Sequence, residues 1–144
     1  MDIRFIKPED TYEIRHHILR PNQPFEAVQY KEDQLPGVFH LGAFHEDKLV
    51  SVASFYPEKH HAFEDDIQFR LRGMATLEAY RRQRFGTALL EHAVNLLKQK
   101  HAGILWCNAR VNVQDYYKHF GFREYGKVFV SGATGAHIVM YKIL

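Results

Sequence analysis

The chain of 144 residues switches repeatedly between two hydrophobic periods. Residues 3–7 alternate apolar and polar, the signature of a strand with one buried face. Pro8, Glu9 and Asp10 then supply a helix start: a proline where the N–H has no intrahelical partner, followed by acids that complement the positive helix end. This helix is expected to reach about Leu19. It stops at Arg20-Pro21-Asn22-Gln23-Pro24, because proline restricts its own φ and the residue before it. Residues 25–35 fit either a loop or a short helix. Residues 38–44 and 49–56 are β-rich, with Glu46-Asp47-Lys48 as a hairpin connection. Residues 57–66 are polar and read as a loop. In the strand expected at 67–76, Ile67-Gln68-Phe69-Arg70-Leu71-Arg72 alternates strictly, which predicts one buried, apolar face.

Leu89, Leu90, Ala93, Val94, Leu96 and Leu97 form the stripe of an amphipathic helix ending near Lys100. Gly103 leads into Ile104-Leu105-Trp106-Cys107, a continuous apolar run typical of a strand covered on both faces. Residues 111–120 fit a further helix, which Gly121 ends. Residues 128–131 and 137–143 give late strands. The order β-α-β-β-β-α-β-α-β-β predicts a mixed α/β (α+β) fold built on one sheet.

Composition narrows the class. The length suits one domain, 1–144, with its own core, and neither a repeat nor a linker interrupts it. A net charge of +2 is too small to argue for bulk nucleic-acid binding. No apolar run approaches the ~20 residues that span a bilayer, and Met1-Asp2-Ile3-Arg4-Phe5 has no apolar signal-peptide core. The single cysteine, Cys107, cannot form an internal disulfide, so a reducing, cytoplasmic setting is expected.

The stretch richest in chemistry is Tyr80-Arg81-Arg82-Gln83-Arg84-Phe85-Gly86-Thr87-Ala88-Leu89-Leu90. It joins a strand to a helix through a basic turn holding a glycine. Unpartnered N–H groups and the positive end of a helix favour an anion there, and Arg81, Arg82 and Arg84 add positive charge. On spacing alone the same pattern also fits a solvated helix start.

Several motifs, in order, resemble the GNAT acetyltransferase superfamily. Arg70-Leu71-Arg72-Gly73-Met74-Ala75-Thr76 with the turn and helix after it is similar to the family's acetyl-CoA motif, written Arg/Gln-x-x-Gly-x-Gly/Ala. Arg81 falls on its first position and Gly86 on its last glycine, while Arg84 stands where the family has its first glycine. A left-handed backbone there would cost an arginine about 1 kcal/mol or more. Leu105-Trp106-Cys107-Asn108-Ala109-Arg110 with Tyr116-Tyr117-Lys118-His119-Phe120-Gly121-Phe122 resembles the later strand-and-helix motif. Gly135-Ala136-His137-Ile138-Val139-Met140 and Leu19-Arg20-Pro21-Asn22-Gln23-Pro24 resemble segments of a small bacterial subgroup.

The resemblance implies a mostly antiparallel sheet of six to seven strands, splayed between the fourth and fifth and flanked by helices. It implies acetyl transfer from acetyl-CoA to a primary amine by direct attack, without a covalent enzyme intermediate. The N–H groups of Gln83, Arg84, Phe85, Gly86 and Thr87 would grip the pyrophosphate, with Arg81, Arg82 and Arg84 as cations. Met74, Ala75 and Thr76 would pair with the pantetheine arm, beside the strand that carries Asn108. Tyr117 matches the family's general acid for the departing thiolate. Judged by its neighbours alone, Tyr117 is a core aromatic beside Phe120 and Phe122.

The base is open among Glu78, His137 and Asp66; His137 is equally a strand histidine bonded to backbone. Arg15, Arg20 and Arg110 are candidates for an acidic group on the acceptor, and Arg20 and His137 are taken as its contacts. The pairs His16-His17 and His60-His61 lack metal-ligand spacing, so no metal is expected. Cys107, in an apolar strand, reads as a core thiol. The partners expected are acetyl-CoA and a small-molecule or peptide amine, without nucleic acid or membrane, for a monomer or homodimer. A non-catalytic acyl-CoA-binding or sensor domain on the same fold is the alternative.

Overall fold

The computed structural model describes residues 1–132 and 135–144. Among these, seven strands are hydrogen-bonded in the order β1-β2-β3-β4-β5-β7-β6: β1 (Asp2–Ile6), β2 (Phe39–His45), β3 (Lys48–Pro57), β4 (Gln68–Thr76), β5 (Ile104–Arg110), β6 (Arg123–Val130) and β7 (Ala136–Ile143). The helices are α1 (Pro8–Leu19), α2 (Phe85–Gln99) and α3 (Gln114–His119). The chain forms two compact units. The first is Met1–Pro57 with Leu71–Leu96, and the second Glu58–Arg70 with Leu97–Leu144.

In the first unit, α1 starts as its sequence dictates. The Asp10 carboxylate accepts the Lys7 backbone N–H at 3.0 Å and the Thr11 hydroxyl donates to Pro8 O at 2.6 Å, so two groups of the first turn are satisfied. The helix then packs Ile14 against Val52 of β3 and Ala75 of β4, with Ile6, Ile18, Leu19, Leu49 and Leu77 around them. β1–β2 and β2–β3 pair antiparallel, and the hairpin closes at His45↔Lys48. Its two central residues, Glu46 and Asp47, have φ of +50° and +65°, the positive pair that matches strand twist in a two-residue turn. Residues 25–35 resolve as two short 3-10 turns, Phe25–Val28 and Lys31–Gln34. They bury Val28 and Asp33.

In the second unit, Ile104, Leu105, Trp106 and Cys107 are all buried, as the apolar run requires. β5 pairs antiparallel with β7 from Ile104↔Ile143 to Arg110↔His137. It pairs parallel with the start of β4 over Gln68↔Ile104, Phe69↔Leu105 and Arg70↔Trp106.

Three expectations are corrected here. The alternation at the start of β4 inverts: Ile67 is 43% exposed while Gln68 is 2% exposed. Burial costs Gln68 little because its amide is satisfied, donating to Phe63 O and Asp65 O and accepting from His60 N–H. The helix expected at 111–120 is a 3-10 turn, Val111–Val113, followed by the six-residue α3. Two β-branched residues flanking an asparagine lower helix propensity there. β6 begins at Arg123, well before residue 128, and nearly all of it is exposed. An exposed edge strand has no buried face to impose an apolar alternation, and its pairing with β7 defines it.

Candidate functional site

In the first unit, β4 leads into the arginine turn. Gly73 has φ +63°, and a Cβ there would stand 2.8 Å from Arg15 Nε, so glycine is needed both for the backbone and for the close approach. Ala75 is buried, and Met74 and Thr76 are half-buried. Ser51 Oγ donates to Ala75 O at 3.2 Å and shares a 2.7 Å hydrogen bond with Thr76 Oγ1. A 3-10 turn, Glu78–Tyr80, follows.

Arg81, Arg82, Gln83 and Arg84 are exposed, whereas Phe85 is buried and anchors the start of α2. The Phe85 ring meets Tyr80 and His45 edge-on, each at 6.0 Å. Arg82 and Arg84 have φ of +61° and +69°. The arginine in the family's glycine position therefore adopts the left-handed backbone that position calls for, and the strain is tolerated. Ala88 N donates to Arg84 O at 2.9 Å, the first bond of α2. A turn with two left-handed residues leading into a helix amino end suits anion binding. Arg84 Nη2 lies 3.8 Å from Glu91 Oε1 with both side chains exposed, a pair too weak to hold the guanidinium back from a stronger anion.

The other charged candidates of this unit lie elsewhere. Arg15, expected as a contact for an acidic acceptor, is fully buried and pairs through both terminal nitrogens with Asp33, at 2.8 and 3.1 Å. It also donates to Val28 O, Ser54 Oγ and Tyr56 Oη at 2.8, 2.8 and 3.3 Å. Tyr56 Oη donates to Asp33 as well. Burial alone would raise the Asp33 carboxyl, but hydrogen bonds from Arg15 and Tyr56 outweigh it and hold it below its ordinary range. His40 Nε2–H donates to Asp33 O at 3.0 Å, which leaves Nδ1 to accept from Ser54 at 2.6 Å. Burial keeps that imidazole below its ordinary pKa. The assignment of Arg15 to the acceptor is thus corrected: its charge is consumed inside the fold. Arg20, half-buried, donates to Ala27 O at 3.3 Å and lies 5.8 Å from the Tyr30 ring centre. Glu78 pairs with His17 at 3.2 Å, both exposed.

In the second unit, Tyr117 of α3 is buried against Phe122, ring centres 5.2 Å apart. Burial, with Cys107 and Tyr116 nearby, raises its phenol well above the ordinary value, so it holds its proton at neutral pH. Tyr116 is 38% exposed. The buried Cys107 thiol is pushed up to about 12 by desolvation, which makes it the core thiol expected and an inert nucleophile. His137 is buried; its Nδ1–H donates to Gly135 O at 2.8 Å and its ring stacks on Phe129 at 5.9 Å. Asp66 is exposed in the loop before β4. Asn108 lines a cavity of about 400 Å³ together with Trp106, His60, Tyr125 and Phe129. This cavity has no signature in the sequence, because its walls come from separate segments around residues 58–61, 70, 106–108, 125–129 and 139.

Among the described residues, His, Cys, Asp and Glu nowhere gather in groups of three or more that could hold a metal ion. No described helix is long and apolar enough to cross a membrane.

The Acetyltransferase (GNAT) family matches residues 8–122, and the chain belongs to that family of acyl-CoA-dependent acyltransferases. The Bacillus subtilis (strain 168) "Uncharacterized N-acetyltransferase YitI" is 47% identical over 144 residues, covering 100% of this chain and 97% of the relative. Escherichia coli ElaA superposes with a TM-score of 0.80 at 16% identity, over 99% of each chain. An aminoglycoside 6′-N-acetyltransferase complexed with coenzyme A superposes at 0.75 and 15% identity, over 99% of this chain and 97% of that one. At such identities the two solved structures establish the fold.

Proposed function

We propose that this chain transfers the acetyl group of acetyl-CoA to a primary amine by direct attack, as one transferase domain. The observation that carries the reading is the arginine turn, in which Arg82 and Arg84 take left-handed backbone immediately before α2. Such a turn offers N–H groups and a positive helix end to a pyrophosphate. Gln83, Phe85, Gly86 and Thr87 supply these N–H groups with Arg84, while Arg81, Arg82 and Arg84 supply charge-assisted contacts. Met74, Ala75 and Thr76 bind the pantetheine arm along β4, and Asn108 contributes from β5.

In the reaction the lone pair of a neutral amine forms the C–N bond, and the resulting tetrahedral oxyanion collapses with cleavage of C–S. Tyr117 gives its phenolic proton to the departing sulfur and regains one from the substituted ammonium or solvent. A phenol raised by burial is a weak acid toward an ordinary thiolate. Burial raises a thiol too, as Cys107 shows, so a desolvated leaving sulfur is a matched acceptor. Arg20 and His137, expected as acceptor contacts, each already donate to a backbone carbonyl, Ala27 O and Gly135 O respectively.

Release of CoA in a screen of amino acids, polyamines, amino sugars and peptide amino termini tests the reading. The expected outcome is turnover with at least one class. Calorimetric binding of acetyl-CoA without turnover for any amine would instead leave an acyl-CoA sensor. Absence of binding at about millimolar ligand would sink both. Tyr117→Phe is expected to lower kcat by ~10²–10⁴ while acetyl-CoA affinity stays close to wild type; an unchanged rate and pH profile would remove the general-acid role.

A further inference from the structure

The cavity of the second unit is built by three devices that the proposed chemistry has not used. The first is the clamped loop. Gln68, buried in β4, ties down His60, Phe63 and Asp65 through hydrogen bonds of 2.8–2.9 Å, and Trp106 Nε1–H donates to Glu58 O at 2.9 Å. A polar loop so restrained forms a fixed wall. The second is a cross-strand stack: Arg70 lies over the Trp106 ring, 5.1 Å from its centre, and pairs with Glu58 at 3.2 Å. The third is a bulge in β6. Between Tyr125↔Val139 and Phe129↔His137 the chain advances four residues along β6 against two along β7. Gly126, at φ +73°, turns the strand, and Tyr125, Gly126, Lys127 and Phe129 all line the cavity. Bulges re-aim side chains beside binding sites.

Its size and chemistry define what fits. At ~30 Å³ per water, about 400 Å³ holds roughly a dozen waters, enough for a small molecule. The rings of Tyr125 and Phe129 offer flat apolar surface, and Trp106, buried beneath Arg70, lies behind them. Among the described lining residues Arg70 is paired with Glu58, which leaves Lys127 as the surplus cation, beside His60 and His61. Burial first, and then His61 and Arg70, hold the His60 imidazole below its ordinary value.

Resting on the transferase reading above, we propose that this cavity receives the acceptor, and that the acceptor is an amine whose flat aromatic body also carries a carboxylate. The cationic surplus has two consequences. It attracts the carboxylate, and it disfavours an ammonium, so the acceptor amine is biased toward the neutral form that attacks. Polycationic acceptors are selected against for the same reason.

The chain contains one tryptophan, and it lines the cavity, so intrinsic fluorescence reads occupancy without CoA. The full chain is titrated with 3-phenylpropionate and with phenethylamine. The carboxylate is expected to give a saturable change in Trp106 emission by about 10 mM, with the amine weaker by about ten-fold or more. Lys127→Glu, at an exposed position, should weaken the carboxylate about ten-fold without a change in far-ultraviolet circular dichroism. Equal responses to the two probes, no saturable response to the carboxylate, or an indifferent Lys127→Glu variant would overturn the proposal. CoA release separates this outcome from failure of the transferase reading. Turnover of phenethylamine or spermidine faster than of L-phenylalanine defeats the acceptor class alone. Carboxylate-selective fluorescence without turnover of any amine defeats the assignment of the ligand as acceptor and leaves a carboxylate-binding cavity.

Discussion

Arg15 and the arginines at 81, 82 and 84 share one unit and one functional group, yet their surroundings are opposite. The Arg15 guanidinium is fully buried, and its terminal nitrogens are consumed by Asp33, Val28, Ser54 and Tyr56. The three turn arginines are exposed, on a backbone that is itself strained at Arg82 and Arg84. Charge that is already neutralised in the interior stabilises a particular packing but recognises nothing. Charge left in solvent beside a helix start contributes little to stability and is available to a ligand. The contrast assigns Arg15 to the fold and leaves the turn cations exposed, as the proposed phosphate contacts require.

The largest effect should come from breaking the buried side of this contrast. Arg15→Met leaves the Asp33 carboxylate desolvated and is expected to cost about 3–5 kcal/mol, measured by denaturant unfolding. A loss below about 1 kcal/mol would mean that the pair behaves like a surface contact. Replacing Arg81, Arg82 and Arg84 together by alanine should leave stability within ~0.5 kcal/mol. It should weaken acetyl-CoA about 10–100-fold at low salt, with a smaller deficit at high salt. A salt-independent deficit, or none, would remove the turn cations from phosphate binding.

A smaller effect concerns pH. Asp33 and His40 both have folded pKa values below their ordinary ones. The unfolded chain therefore binds protons first as pH falls, and stability declines with acidity. The His40 contribution is complete above about pH 6.5 and the Asp33 contribution above about pH 4; each is lost as pH drops through the depressed folded value. Unfolding free energies measured across this range should fall less steeply below about pH 6.5 in His40→Gln, by up to ~1.4 kcal/mol per pH unit. Parallel wild-type and variant curves would show that His40 carries no linked proton. The smallest expected change is a gain. Arg84→Gly relieves ~1–2 kcal/mol of left-handed strain against ~0.4–1 kcal/mol of added unfolded-chain entropy. Stability should rise by up to ~1 kcal/mol, while acetyl-CoA binding weakens by less than in the triple variant. A variant less stable than wild type would mean that the arginine is favoured there.

What could be read in advance divides along the same line. The start of α1, the β2–β3 hairpin and the apolar run of β5 were legible because their signals lie within a few neighbouring residues. So was the arginine turn, a chain-local arrangement. β6 was legible only in part: an exposed edge strand carries no apolar alternation, and its limits come from pairing with β7. Gln68 displaced Ile67 from the interior because three groups of the preceding loop satisfy its amide. The cavity around Trp106 was invisible for the same reason, since no sequence window contains its walls.

By itself, the sequence determined the order of helices and strands, the family, and the presence of a cationic turn at a helix start. Backbone preference, capping and period are short-range effects, and a motif of adjacent residues keeps its geometry wherever it lies. Tertiary structure alone decided which arginine is neutralised, how an arginine is accommodated in a glycine position, and which distant residues line one cavity. Burial and charge pairing depend on segments far apart in the chain, and the free energy of a charged or amide side chain depends on the partners those segments bring to it.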